Sequence, residues 1–241
     1  FLSFIVWAHH MYTVGIPLSG ELFFMYSTML IAIPTGVKIF NWMATMWRGS
    51  MTFETPMLYA IATVALFTVG GLTGLMMAIT PADFQYHDTY FIVAHFHYVI
   101  FCGSVLGMFA GVYYWLPKWT GHMYDETLGK WHFWLSTISV NVLFFPQHFL
   151  GLAGMPRRIP DYPLQFADFN LISSIGSFAL GLSFLLFTYI IVDCIRNGKL
   201  AEARPWESAK GLEWTLPSPA PYHSFDEPPT RAEILAESQH S

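Results

Sequence analysis

The chain has 241 residues, of which 54% are hydrophobic and only 11% are charged. Soluble domains carry about 25% charged residues, so this composition indicates an integral membrane protein and excludes an ordinary soluble enzyme. The formal net charge of −5 lies mostly in the C-terminal tail, and it indicates no nucleic-acid partner.

Apolar stretches predict an all-α, polytopic transmembrane bundle of about six spans, because helices satisfy their own backbone groups in lipid. The stretches cover residues 1–16, 22–47, 57–79, 90–116, 131–152 and 171–195. The first is shorter than the ~20 residues that a crossing needs, as expected of a truncated helix. Because the chain starts inside this stretch, we expect a piece of a longer polypeptide. Small residues at helix-contact spacing, which predict close helix packing, are Gly70, Gly74, Gly103, Gly107 and Gly111.

Basic residues predict the orientation of the helices. Those in alternate loops and at the C-terminal end are Arg48, Lys118, Lys130, Arg196 and Lys199. By the positive-inside rule they face the cytoplasm or the matrix, which places residues 85–88 and 155–162 on the outer side. We therefore expect a helix bundle over residues 1–196 and an extended, polar, Pro-rich tail on the inner side over residues 197–241.

A cluster of ionisable residues between His87 and Val99 opens one apolar helix. Such groups at membrane depth are costly and are functional candidates. On an α-helix, residues two apart point about 200° apart, so His95 and His97 are expected to serve separate metals or cofactors, with Phe96 between them. The alternative is that neighbouring helices satisfy both histidines with hydrogen bonds.

Adjacent imidazoles occur at His9 and His10, in the first apolar stretch. In an apolar setting they suit copper, iron or zinc. Two ligands leave a metal under-coordinated, so a third would have to come from elsewhere. The alternative is a pair of helix-end histidines at an interface.

The second apolar stretch contains Lys38, well inside it, with Thr28 and Thr35 spaced to share one helix face. A lysine supported by aligned hydroxyls predicts a proton path. The alternative is a lysine that extends its ammonium group to the headgroups near Trp47.

Charged residues in the predicted outer loops raise two further possibilities. His87 and Asp88 could bind magnesium or manganese, although an N-capping Asp beside an interfacial His is the alternative. Arg157 and Arg158 break the positive-inside pattern, which indicates an anionic partner. A surface ion pair with Asp161 is the alternative there.

Several of these residues fall in motifs that closely resemble subunit I of the haem–copper cytochrome c oxidases. The motifs are Trp7-Ala8-His9-His10, Ile33-Pro34-Thr35-Gly36-Val37-Lys38, His87-Asp88-Thr89-Tyr90, Ala94-His95-Phe96-His97 and Met155-Pro156-Arg157-Arg158. The resemblance covers nearly the whole chain. It implies the C-terminal half of that subunit, about helices seven to twelve of twelve.

The resemblance implies ligands for the redox centres. His95 corresponds to the ligand of the high-spin haem A iron, and His97 to a ligand of the low-spin haem. His9 and His10 correspond to two ligands of the active-site copper. Lys38, with Thr35, resembles the core of a proton channel.

The resemblance also implies residues around the haems. Arg157 and Arg158 resemble the pair that holds the haem propionates. His87 and Asp88 resemble magnesium ligands near those propionates. Tyr90 resembles the residue that bonds the hydroxyfarnesyl tail of the low-spin haem.

By this resemblance the chain is one part of a cytochrome c oxidase that reduces O2 to water and translocates protons. The implied partners are the N-terminal half of subunit I, which would supply the missing haem and copper ligands, subunit II with its dinuclear copper, subunit III and cytochrome c. The implied location is a bacterial cytoplasmic membrane or the mitochondrial inner membrane. Alternatives are a quinol oxidase subunit I, against which Asp88 and Tyr90 count, and a non-catalytic membrane scaffold.

Overall fold

The computed structural model describes residues 1–207 and 209–239, so residues 208, 240 and 241 of the predicted tail lie outside the described part. The helices are α1 (Leu18–Leu30), α2 (Ala32–Met46), α3 (Thr55–Ala78), α4 (Thr80–Tyr86), α5 (Tyr90–His97), α6 (Leu106–Thr120), α7 (Glu126–Leu152), α8 (Ala167–Asn197) and α9 (Arg231–Gln239). A π-helical segment, Tyr98–Val105, joins α5 to α6. Two short strands, β1 (His122–Met123) and β2 (Lys199–Leu200), pair antiparallel.

Within residues 1–207 and 209–239, five helical stretches are long and apolar enough to cross a membrane. They are Leu18–Met46, Thr55–Ala78, Tyr90–Thr120, Glu126–Leu152 and Leu164–Asn197. They coincide with five of the predicted spans, and the chain is a polytopic helical membrane bundle.

The first predicted span differs from the structure. Residues 1–16 contain two 3₁₀ helices, Leu2–Ile5 and Trp7–Val14, instead of a piece of α-helix. Met11 has non-helical backbone angles, with φ at −128°, and Gly15 ends the segment in a left-handed conformation. The 3₁₀ helix is used in short pieces, as it is here. Apolar composition alone does not distinguish such pieces from an α-helix.

Glycines allow α3 to pack closely against the long helix from Tyr90 to Thr120, as their spacing predicted. A Cβ atom at Gly70 would lie 3.0 Å from the Tyr98 main chain, and one at Gly103 would lie 2.6 Å from the Phe67 ring. Close approach of this kind brings the carbonyl of Gly70 within reach of side chains on the neighbouring helix.

A second close contact sets α7 against α5. A Cβ atom at Gly151 would collide with the main chain of Phe91. Helix α8 also approaches α7 closely, because a Cβ atom at Gly176 would lie 2.5 Å from the backbone nitrogen of Leu143. The helix that bears His95 and His97 is therefore held in a packed position between α3 and α7.

The tail contacts one end of the bundle through Ala203, Trp206, Trp214 and Leu216, and it contains a 3₁₀ helix at Leu212–Thr215. Lys118 Nζ donates hydrogen bonds to the carbonyls of Ala203 at 2.9 Å and Leu216 at 2.8 Å. Trp206 Nε1 donates to the carbonyl of Tyr114, and Trp214 is fully buried. Helix α9, which the composition did not predict, follows later in the tail. The division into a bundle and a tail remains a prediction.

Loops at the opposite end are joined by main-chain contacts. Tyr90 N donates to the Met155 carbonyl at 3.0 Å, and Thr89 forms an isolated bridge with Pro156. These bonds bring the loop before α5 against the loop after α7. His87 and Asp88 consequently lie next to Arg157.

Candidate functional site

A cavity of about 870 Å³ collects most of the predicted site residues. Cavities of this size are typical of binding sites for small molecules and cofactors. The predicted residues that line it are His9, His10, Thr35, His87, Asp88, His95, Phe96, Arg157 and Arg158. Lys38, Tyr90 and His97 lie outside this lining.

The imidazole of His95 enters this cavity in a fixed orientation. Its Nδ1 lies 2.9 Å from the Gly70 carbonyl oxygen and 3.0 Å from Thr73 Oγ1. Because a carbonyl only accepts, the hydrogen bond assigns the proton to Nδ1 and leaves a lone pair on Nε2. A Cβ atom at position 74 would lie 2.8 Å from His95 Cε1, so Gly74 leaves the room that this ring occupies.

His97 presents its ring on a different face of the same helix. Its Nδ1 donates to the Val93 carbonyl at 2.7 Å, and its ring stacks on Phe144 with centroids 4.0 Å apart. Phe96 lines the cavity and also lies 4.4 Å from the His97 ring. The structure thus separates the two histidines as the two-residue spacing predicts, and both are left with Nε2 as the acceptor nitrogen.

His9 and His10 form a close pair. Their Nε2 atoms are 3.1 Å apart, and His9 Nδ1 lies 3.3 Å from Thr28 Oγ1. Thr28 donates its own proton to the Phe24 carbonyl, so its oxygen accepts from His9 Nδ1 and leaves His9 Nε2 with a lone pair. Two imidazole nitrogens, each about 2.0–2.1 Å from one ion, must lie within about 4.2 Å of each other, and this pair meets that condition.

The pair does not complete a metal site within the described chain. Among residues 1–207 and 209–239, no group of three or more His, Cys, Asp or Glu side chains could hold a metal ion. A metal at His9 and His10 therefore needs a further ligand from outside this part of the chain.

The two threonines of the predicted face, Thr28 and Thr35, both line the cavity. Ile31, between α1 and α2, keeps helical backbone angles, and the hydroxyl of Thr28 is bonded to Phe24 and His9. Thr35 is half-buried at the cavity, whereas Lys38 is exposed on α2. Thr28, Thr35 and Lys38 thus remain candidates for a proton path, and the Thr28 hydroxyl also contacts the histidine pair.

A charged cluster forms part of the lining of the cavity. Arg157 Nε donates to Asp88 Oδ1 at 2.8 Å, and the Arg157 backbone NH donates to the Asp88 carbonyl at 2.8 Å. Arg158 Nη1 is 4.0 Å from the same carboxylate. His87 Nε2 lies 3.4 Å from Asp88 Oδ2, and His87 Nδ1 lies 3.6 Å from Asp83 Oδ2. Within the described chain, the anionic partner of the arginine pair is therefore Asp88.

Asp161, which the sequence suggested as an alternative partner of the two arginines, makes a different contact. Asp161 Oδ1 accepts a hydrogen bond from the Tyr162 backbone NH. The backbone of Asp88 is left-handed, with φ at 54°, a conformation that Asp tolerates better than most residues.

The two carboxylates of this cluster lie in different environments, which shift their pKa values in opposite directions. The hydrogen bond from Arg157 holds the pKa of Asp88 below its usual range. Burial raises the pKa of Asp83 to about 6, with His87 opposing that shift. Charge is thus stabilised on Asp88 by Arg157, whereas burial disfavours charge on Asp83.

Comparisons with known proteins define the class to which this fold and site belong. Residues 1–179 match the family "Cytochrome C and Quinol oxidase polypeptide I". Cytochrome c oxidase subunit 1 of Cereibacter sphaeroides is 51% identical over 95% of the chain, and the chain covers 41% of that protein. Cytochrome c oxidase subunit 1 of Bacillus sp. (strain PS3) is 50% identical over 95% of the chain, with 38% of that protein covered.

A solved structure shows the same fold. It is the cryo-EM structure of a heme-copper terminal oxidase dimer, which has a TM-score of 0.72 and 19% sequence identity. The match covers 98% of this chain and 45% of that chain. The chain belongs to the family of cytochrome c and quinol oxidase polypeptide I. It spans about two fifths of the length of the curated relatives, and the family implies haem and copper as cofactors.

The donor set fits these cofactors. Imidazole is a ligand for both haem iron and copper, and both candidate haem ligands carry Nε2 free of the bonds that fix Nδ1. The sequence reasoning identified Gly70 and Gly74 as helix-packing residues, but not as residues that hold or accommodate His95. It missed Thr73 and Phe144, which carry no local signal because each meets its histidine through a contact between helices.

Proposed function

We propose that this chain is the C-terminal part of the catalytic subunit of a cytochrome c oxidase, which reduces O2 to water and couples the reaction to proton translocation. The observation that carries the proposal is the arrangement of histidines. His95 shares a cavity with the His9 and His10 pair, and His97 lies on another face of the same helix.

Each histidine has a proposed ligand role. His95 would hold the iron of a high-spin haem A, and His97 would hold that of a low-spin haem A. His9 and His10 would hold copper beside His95. When bound, these groups supply electron transfer and O2 activation. The chain contributes the ligating nitrogens, their tautomers and the Phe96 ring between the two histidines.

The outer charged cluster has a proposed role next to the haems. Oδ1 of Asp88 is bonded to Arg157, while Oδ2 faces His87, so His87 and Asp88 remain candidate ligands for magnesium or manganese. The Arg158 side chain is 74% exposed, and both arginines line the cavity, which leaves guanidinium donors available for haem propionates.

Tyr90 has a proposed role with the hydroxyfarnesyl tail of the low-spin haem. Its side chain packs against the buried cluster of Leu150, Met155 and Phe166. Neither Tyr90 nor this cluster belongs to the lining of the cavity that holds His95. The position of Tyr90 therefore suits the haem of His97.

Replacing Arg158 with Gln in the complete complex should lower the midpoint potential of the low-spin haem. Loss of a nearby positive charge stabilises the oxidised, more positive centre. A spectroelectrochemical titration measures the potential, and Arg196→Gln at the opposite end of the bundle is the matched control. An unchanged potential in an intact Arg158→Gln complex would indicate that the arginine pair contacts only Asp88 and does not bind the haem propionates.

The proposed partners follow from the incomplete ligand sets. An N-terminal half of subunit I would complete the haem and copper sites, and we also propose subunit II with dinuclear copper, subunit III and cytochrome c as electron donor. The membrane would be a bacterial cytoplasmic or a mitochondrial inner membrane. The Leu18–Met46 span is the least buried of the membrane-length helices within this chain and carries the exposed Lys38, which supports a neighbouring polypeptide with polar groups on this side.

A pyridine haemochrome spectrum of the purified complex tests the proposed function. We expect haem A alone. Mixed haems would instead support a quinol oxidase of the same family, and absence of haem would support a non-catalytic scaffold. Metal analysis of the same sample should find copper, because His9 and His10 are placed for a shared ion.

A further inference from the structure

A closed triangle of polar atoms surrounds Nδ1 of His95. The nitrogen lies 3.0 Å from Thr73 Oγ1 and 2.9 Å from the Gly70 carbonyl oxygen. Thr73 Oγ1 in turn donates a hydrogen bond to the same carbonyl at 2.9 Å. The Nδ1 proton is therefore shared between a carbonyl and a hydroxyl oxygen on one turn of α3.

The geometry sets the role of each group in this triangle. The carbonyl can only accept, and the hydroxyl proton is directed to it, so the hydroxyl oxygen presents a lone pair to Nδ1–H. Thr73 also belongs to the same helical turn as Gly74, which leaves space for the His95 ring. A carbonyl, a hydroxyl and an absent side chain together determine where this imidazole lies.

His97 provides an internal comparison. Its Nδ1 donates to the Val93 carbonyl of its own helix at 2.7 Å, and its ring is held by stacking on Phe144. His95 is instead held from a neighbouring helix, with a hydroxyl as an additional acceptor. The two histidines of one short motif thus have different hydrogen-bond environments.

We propose that Thr73 is a positioning residue for the haem ligand His95, which sets both the orientation of the imidazole and its strength as an electron donor. This inference rests on the proposed function, in which His95 ligates the high-spin haem. A histidine that donates its second N–H to an acceptor becomes a more basic ligand and keeps one tautomer. Thr73 adds an acceptor to that bond, so it strengthens the donation from His95 and stabilises the oxidised iron.

Substitution of Thr73 in the complete complex tests the proposal. Thr73→Val keeps the shape of the side chain and removes the hydroxyl, so the iron–histidine stretching band in the resonance Raman spectrum of the reduced complex should move to lower frequency. The midpoint potential of the high-spin haem should rise, while that of the low-spin haem stays at the wild-type value. Thr73→Ser, which restores the hydroxyl, should return both readouts to wild type.

The matched control is Thr63→Val on the same helix. Thr63 is also half-buried, and its hydroxyl donates to the Tyr59 carbonyl at 2.8 Å in the ordinary manner of a helical threonine. This variant should leave the band and both potentials unchanged. If Thr73→Val does not assemble, Thr73→Ala removes the same hydroxyl from a smaller side chain and carries the same expectation.

Three results would overturn the proposal: an unchanged band and potential in Thr73→Val, an equal shift in Thr73→Ser, or an equal shift in Thr63→Val. Failure of the proposed function is recognised separately with His95→Asn. If the high-spin haem signal survives in that variant, His95 is not its ligand, whatever Thr73 does. If the signal is lost and Thr73→Val shows no shift, the ligand assignment stands and only the role of Thr73 fails.

Discussion

Replacing Lys38 with Met should make reduction of the haem at His95 slow, while the haem at His97 still reduces at the wild-type rate. Met preserves the length of the side chain and removes the ionisable group. If protons reach the oxygen site past Lys38 and Thr35, electrons cannot accumulate there without them. Stopped-flow reduction of the anaerobic oxidised complex follows each haem through its own absorption band.

The physical argument concerns the cost of this lysine. A charged Lys at the centre of a transmembrane helix is unfavourable by about 3 kcal/mol on insertion scales, unless polar groups or water support it. Lys38 lies within the Leu18–Met46 span, is exposed in this chain, and is close in sequence to Thr35 at the cavity. We therefore propose that its polar neighbours belong to the missing half of the subunit.

The control for this experiment is Lys199→Met, which removes an exposed ammonium group from β2 at the end of the bundle. It should leave both rates unchanged. Wild-type reduction of the His95 haem in Lys38→Met would instead identify Lys38 as a lysine that extends to the headgroups.

Substitution of the two helix histidines should remove two different optical signals. His97→Asn is expected to abolish mainly the low-spin haem signal, and His95→Asn mainly the high-spin signal. The reason is geometric: His95 and Phe96 line the main cavity, whereas His97 stacks on Phe144 outside that lining. One haem cannot take its axial ligand from both positions.

Visible spectra of the oxidised and reduced complexes measure this outcome after subunit content has been verified. His223→Asn, an exposed residue of the tail, is the control and should leave both signals intact. Equal loss of both signals in assembled His95→Asn and His97→Asn complexes would contradict separate sites.

The order of residues within single segments was enough to predict much of the bundle and one part of the site geometry. Five of the six apolar stretches are membrane-length helices. The length of an apolar run and the hydrogen bonding of a helix to its own backbone are both properties of one segment. The opposite faces of His95 and His97 follow from helical periodicity alone. Their ligand roles remain predictions, supported by the fit of the free Nε2 atoms.

Prediction from single segments failed where the local structure depends on backbone geometry, or where a side chain's partner lies on a neighbouring helix. Residues 1–16 form 3₁₀ helices, although their composition resembles that of a membrane helix. Thr73 and Phe144 were not identified from the sequence, because each meets its histidine across a contact between two helices. Helical periodicity within one segment does not identify such partners.

By itself, the sequence determined the membrane class of the chain, its long helices and the residues that could ligate metals, since these depend on composition and on spacing within one segment. Only the tertiary structure decided that Asp88 pairs with Arg157 across 69 positions, and that Thr73 and Gly70 hold His95 from a neighbouring helix. Such contacts depend on how closely helices approach. That approach is set by packing at glycines such as Gly70 and Gly151, where a single Cβ atom would change the spacing.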